Sequence, residues 1–217
     1  EPISGLALNG WFKKLTNSQV EGVDRAIRLG VAEGETTDQI MRRIRGTKAA
    51  NFRDGVMGKT RRQAESIART GINHVTTRSR DALYERNSNL VSKVRIVATL
   101  DSRTSPICQT QDGKVYDVGA GPRPPFHVAC RTTTAPVVKS WKDMGINLKE
   151  APEGTRASMN GQVPKSTTYG DWLKGQNSTI QNEALGKKRG AMFRTGEIKV
   201  ERFTDRKGRS FSLDELK

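Results

Sequence analysis

Between Leu100 and Thr132 the chain reads LDSRTSPICQTQDGKVYDVGAGPRPPFHVACRT, and this stretch limits the fold more than any other. It holds both cysteines, one of the two histidines and four of the eight prolines. Each proline removes a backbone donor and fixes φ, so "GPRPPFH" can run neither as a helix interior nor as a central strand. A stiff irregular loop is therefore expected at the middle of the chain, with regular structure on either side.

The preceding segment, "KVRIVATLD", is the clearest strand. Val94, Ile96, Ala98 and Leu100 alternate with Lys93, Arg95, Val97 and Thr99. "DGKVYDV" reads as a turn at Asp112-Gly113 leading into a second strand, with the CQTQ segment as the connection. "CRTTTAPVV" suits a third strand, since Thr and Val fit a half-buried pleat. Upstream the period changes to that of helices. Val20, Val23, Ile27 and Val31 make one stripe on a helix capped by Asn17 or Ser18 and running to about Ala32. "GETTDQIMRRIRG" opens a second helix, with Thr36 and Gln39 at capping-box spacing, Ile40 and Ile44 buried, and Gly46 as its stop. A long helix follows from about Lys59 to Asn87.

Residues 139–217 carry turn chemistry and short helices. Thr167 or Thr168 caps "YGDWLKGQ", Ser178 or Thr179 opens "TIQNEALG", "EIKVERF" alternates like an edge strand, and Ser212 caps a last helical turn. The expected fold is α+β: a helical N-terminal half with a long helix, a small antiparallel sheet with a Cys/His loop, and an extended helical C-terminal tail. The expected organisation is an arm over residues 1–16, a main domain over 17–138 and an extension over 139–217. The chain starts at Glu1, not Met, which suggests a piece of something longer.

Composition bears on partners. The apolar fraction is 34%, thin for a chain that must bury its own core, and the net charge is +15. Self-repulsion of that size favours a polyanionic partner. From Arg25 to Arg95 there are 16 Lys and Arg against 7 Asp and Glu, so intrahelical acids cannot neutralise the long helix. Arg61, Arg62, Arg69, Arg78, Arg80 and Arg86 then suggest a phosphate-facing surface. With little aromatic interleaving, binding to double-stranded DNA would be independent of sequence. A solvated basic face is the alternative. No stretch approaches the apolar length needed to span a bilayer, so no membrane partner is expected.

Three readings of the central loop stand side by side. Cys108, His127 and Cys130, with Asp101 as an oxygen donor, could hold a structural zinc ion, although Ser105 stands where a further cysteine would complete the pattern. A cysteine could act as a nucleophile with His127 as base and Asp101 or Asp112 as orienter, but no glycine-framed elbow supports that. The third reading is a hydrogen-bond network in which Asp101 caps the turn "DSRT" and the thiols pack as small apolar groups. His74, mid-helix near the apolar stripe, reads as a partly buried helix residue.

The runs "ARTGINHVTTRSRDALYERN", "VATLDSRTSPICQTQDGKVY" and "PRPPFHVACRT" resemble the MuF-type phage head morphogenesis family, minor head proteins of tailed bacteriophages. The residues that carry the likeness are Ala68-Arg69-Thr70, Asp101, Arg103, Thr104, Cys108, Asp112-Gly113, Pro124-Pro125, His127, Cys130 and Arg131. Many members carry a further cysteine near position 105, absent here. The resemblance implies a structural protein of the virion, without catalytic residues. It would be assembled in the host cytoplasm and lie inside the capsid near the portal. Its partners would be the portal protein or the major capsid protein together with double-stranded DNA, and it could take part in genome ejection. The rival expectation is a Cys/His or zinc-dependent hydrolase or nuclease used in infection.

Overall fold

The computed structural model describes residues 17–56, 61–205 and 209–216. The proposed arm over 1–16 lies outside them. Two compact units form. The first takes the described residues up to Ala82 with Pro122–Arg131, and the second takes Leu83–Gly121 with the described residues from Thr132 onward.

In the first unit, α1 (Asn17–Ala32), α2 (Thr37–Arg45) and the greater part of α3 (Arg61–Arg86) share one apolar interior. Val23, Ile27, Ile40, Met41, Ile44, Ile67 and Ala68 are buried in it. The expected capping box is present at α2: Gln39 N–H donates to Thr36 Oγ1 at 3.3 Å, and Thr36 N–H donates to Gln39 Oε1 at 2.6 Å. Gly46 ends the helix at φ 87°, where its N–H reaches Arg42 O at 2.7 Å. Helices α1 and α3 come close at Gly71, where a Cβ would lie 2.2 Å from Ile27 Cδ1.

In the second unit, β1 (Val91–Val97) is the middle strand of a three-stranded antiparallel sheet, between β2 (Val115–Asp117) and β3 (Thr133–Val138). Val94 faces Tyr116 on one side and Pro136 on the other. The alternation read in the sequence holds, since Val94, Ile96, Ala98 and Leu100 are all buried. The β1–β2 connection contains a short helix, α4 (Pro106–Gln111), with proline in its first turn where a missing N–H costs nothing. After α4, Gly113 at φ 78° lets its N–H return to Ile96 O at 2.9 Å.

The C-terminal segment departs from its sequence reading in two places. A hairpin, β4 (Thr155–Ser158) with β5 (Gly161–Pro164), occupies a stretch whose residues favour turns. Its register comes from cross-strand pairing around Gly161 at φ 113°, a positive φ that glycine tolerates. "EIKVERF" forms no strand. Ile198, Val200 and Phe203 are buried among α5 (Tyr169–Lys174), α6 (Ser178–Leu185) and α7 (Lys187–Thr195), and the backbone closes a 3-10 turn over Val200–Arg202 to place them. Leu100, Tyr169, Trp172 and Leu173 complete that core, and α8 (Leu213–Leu216) adds Leu216. Thr168 caps α5 and Asn177 caps α6.

Candidate functional site

The loop carrying His127 and Cys130 is held by the inner face of α3. Thr70, fully buried, accepts the Ala129 N–H on Oγ1 at 2.8 Å and donates to Ser66 O at 2.7 Å. One turn on, Asn73 Nδ2 donates to Cys130 O at 2.8 Å, and Asn73 Oδ1 accepts from Thr77 Oγ1 at 3.1 Å. Ala129 sits at φ 56°, a left-handed conformation that the Thr70 contact helps to hold. At the start of the loop Arg123 is buried against Asp81, Nε to Oδ1 3.0 Å. Polar residues spaced three apart inside an apolar helix face anchor a chain segment more than fifty residues away.

Within this loop His127 and Cys130 come together, their ligand atoms lying within 4.8 Å of each other. His127 Nδ1 is 2.8 Å from Val128 O, which fixes the proton on Nδ1 and makes Nε2 the basic nitrogen. Burial works against the imidazolium. The neighbouring Cys130 side chain, by hydrogen bond and by charge, and the Val128 carbonyl outweigh burial and hold His127 above its ordinary value, against an opposing push from Arg131. A carbonyl that orients one ring nitrogen so that the other can ligate is the usual support of a metal-binding histidine.

Cys108 lies on α4 in the second unit, buried like Cys130, and neither cysteine forms a disulfide. Asp101, in that same unit, has its carboxylate in the "DSRT" turn: Oδ1 accepts from Arg103 N–H at 3.1 Å and lies 3.0 Å from Thr104 Oγ1. Asp112 sits at the centre of a buried network. Its Oδ1 accepts the Ala98 N–H at 2.7 Å and its Oδ2 accepts the Tyr169 N–H at 2.7 Å. Arg156 donates to both oxygens, to Thr167 O at 2.9 Å and to Ala98 O. With its acceptors filled by donors, Asp112 is placed as a structural hub, not as an orienter of imidazole.

Of the six arginines read as a DNA surface, Arg69, Arg78, Arg80 and Arg86 are exposed. The side chains of Arg61 and Arg62 lie outside the described residues. Arg69 pairs with Glu65 at 2.9 Å across one helical turn. His74, half-buried on α3, is held below its ordinary value by burial first and then by Arg78 and Arg28, against an opposing pull from Asp24. Thr70 stands in the sequence only as part of the Ala-Arg-Thr run that carries the family likeness, with no anchoring role, and Asn73 and Arg156 are not singled out there. For Thr70 and Asn73 the signal of an anchoring role is present, as polar residues on the inner face beside Ile67 and Ile72.

A family model described as "Phage Mu protein F like protein" matches residues 21–135, more than half of the chain. No curated protein and no solved structure matches it. The matched span takes in the α3 anchors, the strand ending at Asp101, the Asp112-Gly113 corner and the His127–Cys130 loop, and the chain belongs to the phage Mu protein F-like head morphogenesis family.

Proposed function

We propose that this protein is a minor structural component of a tailed-phage head, seated at the portal or the major capsid protein, that contacts packaged double-stranded DNA through the exposed arginines of α3. The family match carries the structural role. The arginine-rich helix, with Arg78 and Arg86 exposed and outside any ion pair among the described residues, supports the DNA contact. Phosphate contacts made by such side chains are sequence-independent and release counterions. The polar groups around the loop serve backbone anchoring, which favours a structural part over a hydrolase or nuclease.

We further propose, from the residue types and spacing in the sequence, that Cys108, His127 and Cys130 hold a structural zinc ion. Thiols outside any disulfide and an imidazole with Nδ1 tied to a carbonyl are the donor types zinc prefers. Asp101 has Oδ1 engaged in its own turn, so water is the stronger candidate for the fourth position. Bound there, the ion would act as a clip and supply no catalytic step.

Two measurements test the reading. Affinity for a random-sequence duplex should fall steeply with salt between about 50 and 200 mM. Labelled protein should also co-sediment with portal rings or phage heads. Salt-independent binding would remove the DNA contact, and failure to associate with either assembly would remove the structural role.

A further inference from the structure

On the outer face of the sheet in the second unit lies a cavity of about 700 Å³, within the range of about 300–1,000 Å³ usual for binding pockets. Val97 of β1, Ala135 and Val137 of β3, Trp141 and Met144 are among the apolar side chains that line it. Val138, at the end of β3 and also in the lining, is exposed, and so are Ile146 and Leu148, which follow Trp141 and Met144 in sequence.

The charges of this cavity are one-sided. Arg95 lines it, and its Nε is buried without a hydrogen-bond partner. Lys139 and Lys165 also line it, and neither has an ion-pair partner among the described residues. Arg156 is saturated by Asp112 and two carbonyls. The single acid of the lining, Glu150, accepts the Trp141 backbone N–H at 2.7 Å. A buried guanidinium nitrogen without an acceptor carries a desolvation cost that an incoming carboxylate would relieve.

We propose that this cavity docks an acidic segment of a partner protein, which seats an aliphatic or aromatic side chain on Val97, Ala135 and Val137 and brings a carboxylate to Arg95. Charge complementarity selects this occupant. Nucleic acid fits less well, because the apolar lining is mainly aliphatic and Trp141 is the one aromatic ring in it on which a base could stack. The proposal is independent of the DNA contact proposed for α3.

The test is selection of a random displayed-peptide library on the full chain, followed by fluorescence anisotropy with the synthetic consensus peptide. Enriched peptides should place Asp or Glu beside a large apolar residue. Arg95→Gln and Lys139→Glu should each weaken the consensus peptide about tenfold or more while leaving circular dichroism and melting temperature unchanged. Should Arg95→Gln fail to fold, Lys139→Glu decides alone. Lack of enrichment, enrichment of neutral or basic peptides, or unchanged affinity in the variants would overturn the proposal. Displacement of the peptide by a duplex oligonucleotide, with duplex binding lost in the same variants, would assign the cavity to nucleic acid instead.

Discussion

Asp112 and Arg156, 44 residues apart in sequence, form a bidentate ion pair whose carboxylate is 0% and whose guanidinium is 10% exposed, with N–O distances of 3.0 and 3.1 Å. Because the same carboxylate also accepts the Ala98 and Tyr169 amides, it ties the end of β1 to the β4–β5 hairpin and to the start of α5. Breaking a buried pair on one side leaves an uncompensated charge, at a cost of about 3–5 kcal/mol. Asp112→Asn should therefore lower the urea midpoint sharply. Adding Arg156→Met should restore part of the loss, since no unpaired guanidinium remains. A wild-type midpoint for Asp112→Asn would show that the pair does not hold these elements.

Thr70 offers a way to disturb the His127–Cys130 loop without touching a ligand. Thr70→Val keeps the shape but orphans the Ala129 N–H, a loss of about 1–3 kcal/mol. Denaturation should report that loss, and zinc retention under chelator competition should fall with it.

Zinc itself is open to direct measurement. Elemental analysis of the purified chain should find about one equivalent, and cobalt substitution should give the charge-transfer bands of thiolate ligation. Cys108→Ser, His127→Ala and Cys130→Ser should each lower the metal content. Wild-type protein that is metal-free after expression in zinc-supplemented medium, and that binds no cobalt, would exclude the clip.

The lowered titration of His74 has a definite sign. A histidine that is harder to protonate in the folded state leaves the unfolded state binding more protons, so stability rises with pH across the gap. The contribution is complete above the ordinary histidine value of about 6.5 and is lost as pH falls through it toward the lower folded value. His74→Gln should flatten the decline in melting temperature between about pH 7 and pH 5. An unchanged decline would place the responsible group elsewhere.

For the basic face, Arg78→Gln should reduce the slope of log affinity against log salt by about one unit, equally for every duplex sequence. Arg69→Gln should do less, because Glu65 already engages that guanidinium. Equal slopes for wild type and Arg78→Gln would show that Arg78 meets no phosphate.

What could be read from the chain alone was whatever depends on neighbours close in sequence. The apolar stripe of α1, the capping box at Thr36 and Gln39, and the alternation from Val94 to Leu100 are set by local period and local hydrogen bonding, and the structure holds them. The motif order that identified the family is local in the same sense. Tertiary structure decided the rest, since contacts across tens of residues leave no period behind. Turn-forming residues around Gly161 became a hairpin through cross-strand pairing. The alternation in "EIKVERF" became a 3-10 turn because a helical core, not a sheet edge, received Ile198, Val200 and Phe203. Asp112 looked like a turn residue or an orienter and became the acceptor for an arginine 44 positions away, a role visible only once burial removed the water that would otherwise have solvated both charges.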